Sequence, residues 1–475
     1  MIPPPAKAAP GHPLSATAMV PSSRPFRILI ACALCGLLNV AAKGESLRLA
    51  AFQTDATPAV GSPVAYVSAR SIEDPLSARG IILLGSGQPV VLCAVDWIGI
   101  GNSGHDAWCE ALAAAAGTTP DRVSVHALHQ HDGPRCDFDA EALLDEHGLG
   151  GTRFDAAFAR RTIASAAAAV QTAILEAAPV THIGIGQARV EKVASNRRIL
   201  GPLGSVILQR QSASKNPDAQ AAPEGTIDPV LKAVSFWADT RPLACLTYYA
   251  THPQSHYGKG DVTAEFVGLA RNQRERELGG LPHIHFNGAS GNVAAGKYND
   301  GSPSNRPVLT ARMADGMKRA WEATVKTPLT AAEVSWRTIS VTLPLGAHLQ
   351  RDKLAAQLAD TRQDARARLN AATKLAYLTR HERGHQIPLH CLSLGRARVL
   401  HMPGELFVEY QLAAQKMRPD LTICMAAYGD YGTGYIGTEI AYSQGGYETQ
   451  PTSSNTAPQV EHILMQAMRT LLGTE

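Results

Sequence analysis

The sequence predicts an α/β protein, a large mixed β-sheet domain covered by helices. Three observations carry that expectation. Short apolar runs rich in Val, Ile and Leu recur at 47–53, 80–85, 90–96, 123–128, 182–188, 231–237, 243–249, 283–287, 332–343, 389–401 and 421–427, as buried strands do. Helix-patterned stretches alternate with them at 105–116, 155–178, 262–278, 309–327, 348–380, 404–417 and 459–472, and strands alternating with helices make layered α/β architectures. No internal repeat and no second composition regime interrupts residues 43–475, so they read as a single domain.

Residues 1–42 differ in kind. A Pro/Ala-rich leader carries Lys7, Arg24 and Arg27, then an apolar run from Ile28 to Leu38 and a small-residue exit at Val40-Ala41-Ala42. That is the pattern of a secretory signal peptide, and the apolar run is short for a membrane span. Leu29-Ile30-Ala31-Cys32 resembles a lipoprotein cleavage box, but too few apolar residues precede the cysteine, so simple export to a secreted or periplasmic location is preferred to lipid anchoring. The net +3 of the whole chain belongs to this leader, and the remainder is balanced in charge. Nothing in that balance argues for nucleic acid or an anionic membrane surface. Of the six cysteines beyond the leader, Cys93, Cys245 and Cys391 sit in apolar runs and are expected to be buried; the spacing selects no disulfide pairing, and no CxxC survives for a structural zinc knuckle.

Taken in order, the strands end in unusual chemistry. Strand 123–128 runs out into His126-Ala127-Leu128-His129-Gln130-His131-Asp132-Gly133-Pro134. If the extended backbone persists, His129 and His131 point the same way and His126 the other. An isolated His-x-His is ordinarily a solvated loop, so the rest of the chain has to strengthen the case. Strand 182–193 leads to Asn196-Arg197-Arg198, which alone reads as a basic turn. Strand 243–249 exits into Thr251-His252-Pro253, where the proline holds the histidine extended. Strand 283–287 enters a loop of small residues from Gly288 to Gly296, suited to close backbone approach. After 389–401, Glu405 is expected to open a helix, where a carboxylate favours the N-terminus. The segment 428–450, rich in tyrosine and glycine, has a binding loop's composition. The charged run at 350–380 is an exposed helix or helix pair.

Two or three histidines, a glutamate and a tyrosine at strand exits suit one divalent ion. Imidazole and carboxylate fit Zn²⁺, which takes three protein ligands plus water in hydrolytic sites and there polarises a carbonyl and acidifies its water. The spacings are too long to prove that these residues converge.

The ordered set resembles the catalytic domain of the neutral and alkaline non-lysosomal ceramidases, across most of residues 47–450. Thr54-Asp55-Ala56-Thr57-Pro58-Ala59-Val60-Gly61 is similar to that family's D-I-T-P-P-V-G, and Leu128 to Pro134 to its T-H-T-H-S-G-P. Asn196-Arg197 resembles N-R-S-P, Ala250-Thr251-His252 the stretch bearing the second histidine ligand, and Pro403-Gly404-Glu405 the P-G-E. Gly434-Tyr435 and, further on, Tyr447-Glu448 reproduce the tyrosine spacing. The resemblance implies one Zn²⁺ per chain held by His129, His252, Glu405 and Tyr435, with His131, Arg197 and Tyr447 catalytic. It places Asn292, Ala294, Ser290 and His256 at the substrate.

Departures accompany the match. Gly291-Asn292-Val293-Ala294-Ala295-Gly296 aligns with G-N-L-S-P-N, so Ala294 replaces the family's serine; Thr251-His252-Pro253 lacks the H-G-T motif; and no immunoglobulin-like C-terminal domain follows. The implied function is a secreted zinc-dependent hydrolase of the ceramidase-like amidohydrolase kind, cleaving an amide or ester with zinc-activated water. Two alternatives are a genuine ceramidase and a non-catalytic, zinc-retaining binding protein. The implied partner is a small-molecule or lipid acyl-amide, with peripheral membrane contact if it is a lipid.

Overall fold

A computed structural model describes Met1 and residues 46–474; the leader expected over 1–42, apart from Met1, and residue 475 lie outside the described residues. Strands and helices form an α/β unit close to the expected order. They divide among three principal sheets instead of one. The first orders its strands Val123–Ala127, Val90–Val95, Ser77–Leu84, Arg48–Asp55, Ala178–Pro179; the second, His283–Asn287, Arg241–Tyr249, Val230–Ala238, His182–Arg189, Val325–Pro328; the third, Val334–Val341, Ile387–Leu394, Ala397–His401, Thr422–Ala426. Continuous apolar runs report burial on both faces and not the identity of the neighbouring strand, which is why the sequence could not separate one sheet from three.

Side-chain alternation explains the layering. Ile81, Leu83, Leu92 and Ala94 of the first sheet meet Phe236, Leu246 and Phe286 of the second and Leu392, Val399 and Cys424 of the third in one central core. The opposite parity, Ile82, Val91, Cys93 and Val95, joins a core that includes helices Ser103–Ala116 and Ala156–Leu175. Helices Glu265–Glu277 and Asn305–Glu322 cover the outer face of the second sheet through Phe266, Val267, Leu309 and Met313. Period-two alternation sorts each strand into two buried faces.

Each sheet contains one parallel strand pair, and each pair is joined through a helix. Val90–Val95 pairs with Val123–Ala127, Arg241–Tyr249 with His283–Asn287, and Ala397–His401 with Thr422–Ala426; helices Ser103–Ala116, Glu265–Glu277 and Val408–Met417 make the respective crossovers. Parallel strands need such crossovers. Hydrogen bonds between sheets link the three pairs at their C-terminal ends: Ala127 N donates to Tyr428 O (3.0 Å), Ala427 N to Asn287 O (2.9 Å), and Asn287 Nδ2 to Leu128 O (2.8 Å). A fully buried bidentate pair, Arg271 to Asp96 at 2.6 and 2.9 Å, fixes the second crossover helix to the end of Val90–Val95. Removing one partner of such a pair costs about 3–5 kcal/mol.

Two boundaries differ from expectation. The run 389–401 lies in two antiparallel strands turned at Gly395, in the left-handed region at φ 53°. Glu405 does not open the helix, which begins at Val408; Glu405–Leu406 is a short strand parallel to Tyr435–Ile436, with Glu405 opposite Tyr435. Its position depends on Gly404, at φ 57°, where a Cβ would collide with Thr433 Oγ1 and Gly434 O. All six described cysteines are free and buried, and no helix among the described residues is long and apolar enough to cross a membrane.

Candidate metal centre

The C-terminal ends of the three parallel pairs converge, as ligand sites do in α/β sheets. The first pair delivers Ile98 and His129, the second His252 and Ser290, the third Glu405, Tyr428 and Tyr431. His129 Nδ1 donates to Ile98 O at 2.7 Å and His252 Nδ1 to Ser290 O at 2.7 Å. Each bond fixes its ring's tautomer and leaves Nε2 with a bare lone pair. Both Nε2 atoms face Glu405 Oε2, at 3.3 Å from His129 and 3.0 Å from His252. The ligand atoms of these three buried residues lie within 4.8 Å of one another. Two imidazole lone pairs and a carboxylate oxygen turned on one point form a cluster that can hold a metal ion, and N,N,O is a donor set for zinc. Among the described residues this is the one such cluster.

Electrostatics favour the charge states a metal needs. Burial first, then Arg197, pushes the His252 imidazole down to about 4. Burial acts to raise Glu405, but positive charge and N–H donation from His129 and His252, present when those rings are protonated, outweigh it and hold the carboxyl well below its ordinary value. Tyr431 donates to Glu405 Oε1 at 2.5 Å, so the carboxylate is oriented from both sides.

Tyr435 Oη lies 3.3 Å from His252 Nε2 and 2.6 Å from Tyr447 Oη. Arg197 donates to Tyr435 Oη at 3.1 Å and also to Tyr447 Oη and Gln211 Oε1. Burial works against its charge, yet Tyr435, Tyr447 and Glu448 keep it well above its ordinary value. His131 Nε2 is 3.0 Å from His129 Nε2, and its Nδ1 bonds the Tyr66 hydroxyl at 2.6 Å; a hydroxyl accommodates either tautomer of the ring. Burial, then the neighbouring His129 and His252, depress His131 well below the usual imidazole range, so it is neutral near pH 7.

The seven residues expected as ligands or catalysts therefore line one cavity of about 410 Å³. Strand parity does not bring His129 and His131 together. The strand ends at Ala127, and His129 takes φ 70°, an unfavourable region for a non-glycine residue, held by His129 N donating to Trp97 O and Gln254 Nε2 donating to His129 O. His126 points away and meets His401 at 2.9 Å.

None of the four residues expected at the substrate lines the cavity. Ala294 is fully buried in a strand pair with Ser195, whose Oγ donates to the Ala294 carbonyl. Asn292 Nδ2 donates to Glu409 while its Oδ1 caps the Val408 amide. Ser290 Oγ pairs with Tyr428 Oη at 2.7 Å, and His256 is contacted by Arg306. The Ser290 and Asn292 side chains instead tie their loop to Tyr428, Glu409 and the Val408 amide. Conversely, Tyr66, Arg135, Gln211 and Tyr257 line the cavity with no motif to mark them; only the tyrosine-rich composition of 428–450 pointed to Tyr431.

No protein-family model matches the sequence, and no curated protein matches it. Solved structures do. A ceramidase complexed with C2 aligns with TM-score 0.63 at 16% identity, over 89% of this chain and 74% of that one. The neutral ceramidase from Pseudomonas aeruginosa aligns with TM-score 0.63 at 17% identity, over 89% of this chain and 73% of that one. In fold, the chain is similar to the neutral ceramidases.

Proposed function

We propose that the chain is a zinc-dependent hydrolase that cleaves an amide, or an ester, at the His129–His252–Glu405 centre. The observation that carries the reading is the pair of Nε2 lone pairs aimed at Glu405 Oε2, each fixed by a backbone carbonyl behind it. A divalent ion bound there supplies Lewis-acid polarisation of the scissile carbonyl and an acidified water. Arg197, with Tyr435 and Tyr447, holds the substrate's carbonyl oxygen. Neutral His131 accepts a proton from the attacking water at Nε2 while Tyr66 steadies Nδ1, and it returns that proton to the leaving nitrogen. The C–N bond breaks, the water oxygen stays on the acyl carbon, and an amine and a carboxylic acid leave. The leader expected over 1–42 directs the enzyme to a secreted or periplasmic location.

The fold neighbours support a second reading, hydrolysis of ceramide itself. Hydrolysis of ceramide beside simple N-acyl amides and esters, with zinc-loaded and chelator-treated protein, tests both. Chelator-sensitive turnover of any of them supports the hydrolase; zinc-loaded protein that cleaves none, yet binds the metal, is a non-catalytic binding protein.

A further inference from the structure

Beyond the metal ligands, the cavity wall is cationic. Arg135, Arg153, Arg366 and Lys374 line it together with Arg197. Arg197 is engaged with Tyr435, Tyr447 and Gln211, and Lys374 Nζ with Pro451 O. The side chains of Arg135 and Arg366 have no hydrogen bond or ion pair among the described residues, and the Nε of Arg135 and that of Arg153 are buried without a partner. Arg153 reaches only Asn370 Oδ1, at 3.4 Å. Burial first, then the charge of Arg135, lowers Arg153 to about 9, so the guanidinium groups repel one another.

Neither carboxylate on the wall answers them. Glu405 is taken by the two histidines and Tyr431. Asp137 accepts from Asn102 Nδ2 at 2.7 Å and caps the Ala140 amide at 3.0 Å. Aliphatic packing is sparse, since Ile98 is the one branched aliphatic side chain on the wall among the described residues, and its other apolar surface is aromatic, from Phe154 and tyrosines such as Tyr66 and Tyr257. Unpaired buried N–H groups and clustered like charges are costly, and a guanidinium fork matches a carboxylate or phosphate bidentately.

We propose that the substrate carries an anionic group, a carboxylate, sulfonate or phosphate, held between Arg135, Arg153 and Arg366 while its scissile bond lies at the metal centre. This inference rests on the hydrolase reading. It makes the enzyme a hydrolase of acidic acyl-amides and not of a neutral lipid.

The test uses matched pairs with zinc-loaded protein. N-hexanoylglycine against N-hexanoylglycinamide places the charge on the amine side; adipic acid mono-N-butylamide against N-butylhexanamide places it on the acyl side. N-hexanoyltaurine and N-hexanoyl-O-phosphoethanolamine distinguish the anions, and ceramide is the lipid arm. The charged member of at least one pair should have at least about tenfold higher kcat/KM, and added NaCl should raise its KM. R153Q should raise that KM about 10- to 100-fold and collapse the charged-to-neutral kcat/KM ratio; exposed Arg366 gives R366Q as a second variant that leaves the core intact. Equal or better turnover of the neutral partners or of ceramide overturns the inference and leaves the hydrolase standing. So does an unchanged KM in both variants. If nothing is cleaved, the hydrolase reading falls and calorimetry decides: tighter binding of N-hexanoylglycine than of its amide, lost in R153Q, upholds the anion site, and equal binding removes it.

Discussion

His252 Nε2 and Glu405 Oε2 stand 3.0 Å apart although 153 residues separate them. One follows a strand of the second sheet and the other a strand of the third. With His252 Nδ1 committed to the Ser290 carbonyl, no ring proton lies on Nε2 to join the two atoms unless the imidazole ionises.

The first prediction follows from that contact. Purified protein should hold close to one zinc per chain, and His129→Ala with His252→Ala should take the content to near zero, because Glu405 and Tyr435 cannot complete a tetrahedral site. Elemental analysis of folded protein measures it, and full occupancy in the double variant would move the site elsewhere.

His131 should matter to rate and not to metal. His131→Ala is expected to lower kcat about 10²–10⁴-fold with zinc content unchanged. Tyr66→Phe removes the 2.6 Å bond to Nδ1 and should produce a smaller loss together with a displaced pH–rate profile. A profile identical to wild type would leave Tyr66 as a packing residue only.

Stability should fall on mild acidification. Burial lowers His126, His285 and His390, each to about 3. All three are neutral in both states above about pH 6.5. As pH drops below that value the unfolded chain takes up protons that the folded chain refuses until about pH 3, so stability is lost progressively across that window. At pH 5 each group costs about 2 kcal/mol. His105 is the opposite case. Burial acts to lower it, but Cys109 and the acids Asp430 and Asp106 carry it to about 10. It is protonated in both states below pH 6.5 and does not oppose the loss. Denaturant midpoints at pH 7 and pH 5 check this, and His390→Gln should flatten the slope by about one proton; a midpoint independent of pH would contradict it.

Ala294→Ser should not restore a headgroup contact. Ala294 is fully buried in its strand pair and away from the cavity wall. A hydroxyl placed there gains no substrate and costs about 1–3 kcal/mol if it finds no partner. Selectivity between ceramide and other amides should stay within about threefold of wild type, while thermal stability drops. A selective rise in ceramide turnover would show that the loop opens toward the substrate.

The strands and their exits were legible because burial and turn chemistry are local: Val123–Ala127, Arg241–Tyr249 and Ala397–His401 each announce themselves in composition and end where expected to within a few residues. What the chain does after an exit was less legible. The left-handed turn at His129 is imposed by Trp97 and Gln254, partners that no spacing reveals. Glu405 became a strand residue because Gly404 and the Tyr435 segment hold it there, a tertiary contact overriding a helix-start signal. Asn292 and Ser290 carry the chemistry of ligand contacts, but their side chains bond Glu409 and Tyr428 and anchor the loop to the third sheet's crossover and exit. Arg366 lies far from Arg135 and Arg153 in sequence, and only the fold gathers it with them on one wall.

The ring of hydrogen bonds among Ala127, Tyr428, Ala427, Asn287 and Leu128 turns three sheets into a tripod whose feet are the strand ends. Each foot carries one member of the His129–His252–Glu405 cluster, so the distance between any two donor atoms measures how two sheets are seated on one another. An ion held by all three would bind much more weakly to a chain in which one sheet had come loose. Its binding energy would therefore add to the cohesion of the whole domain and not to a single loop.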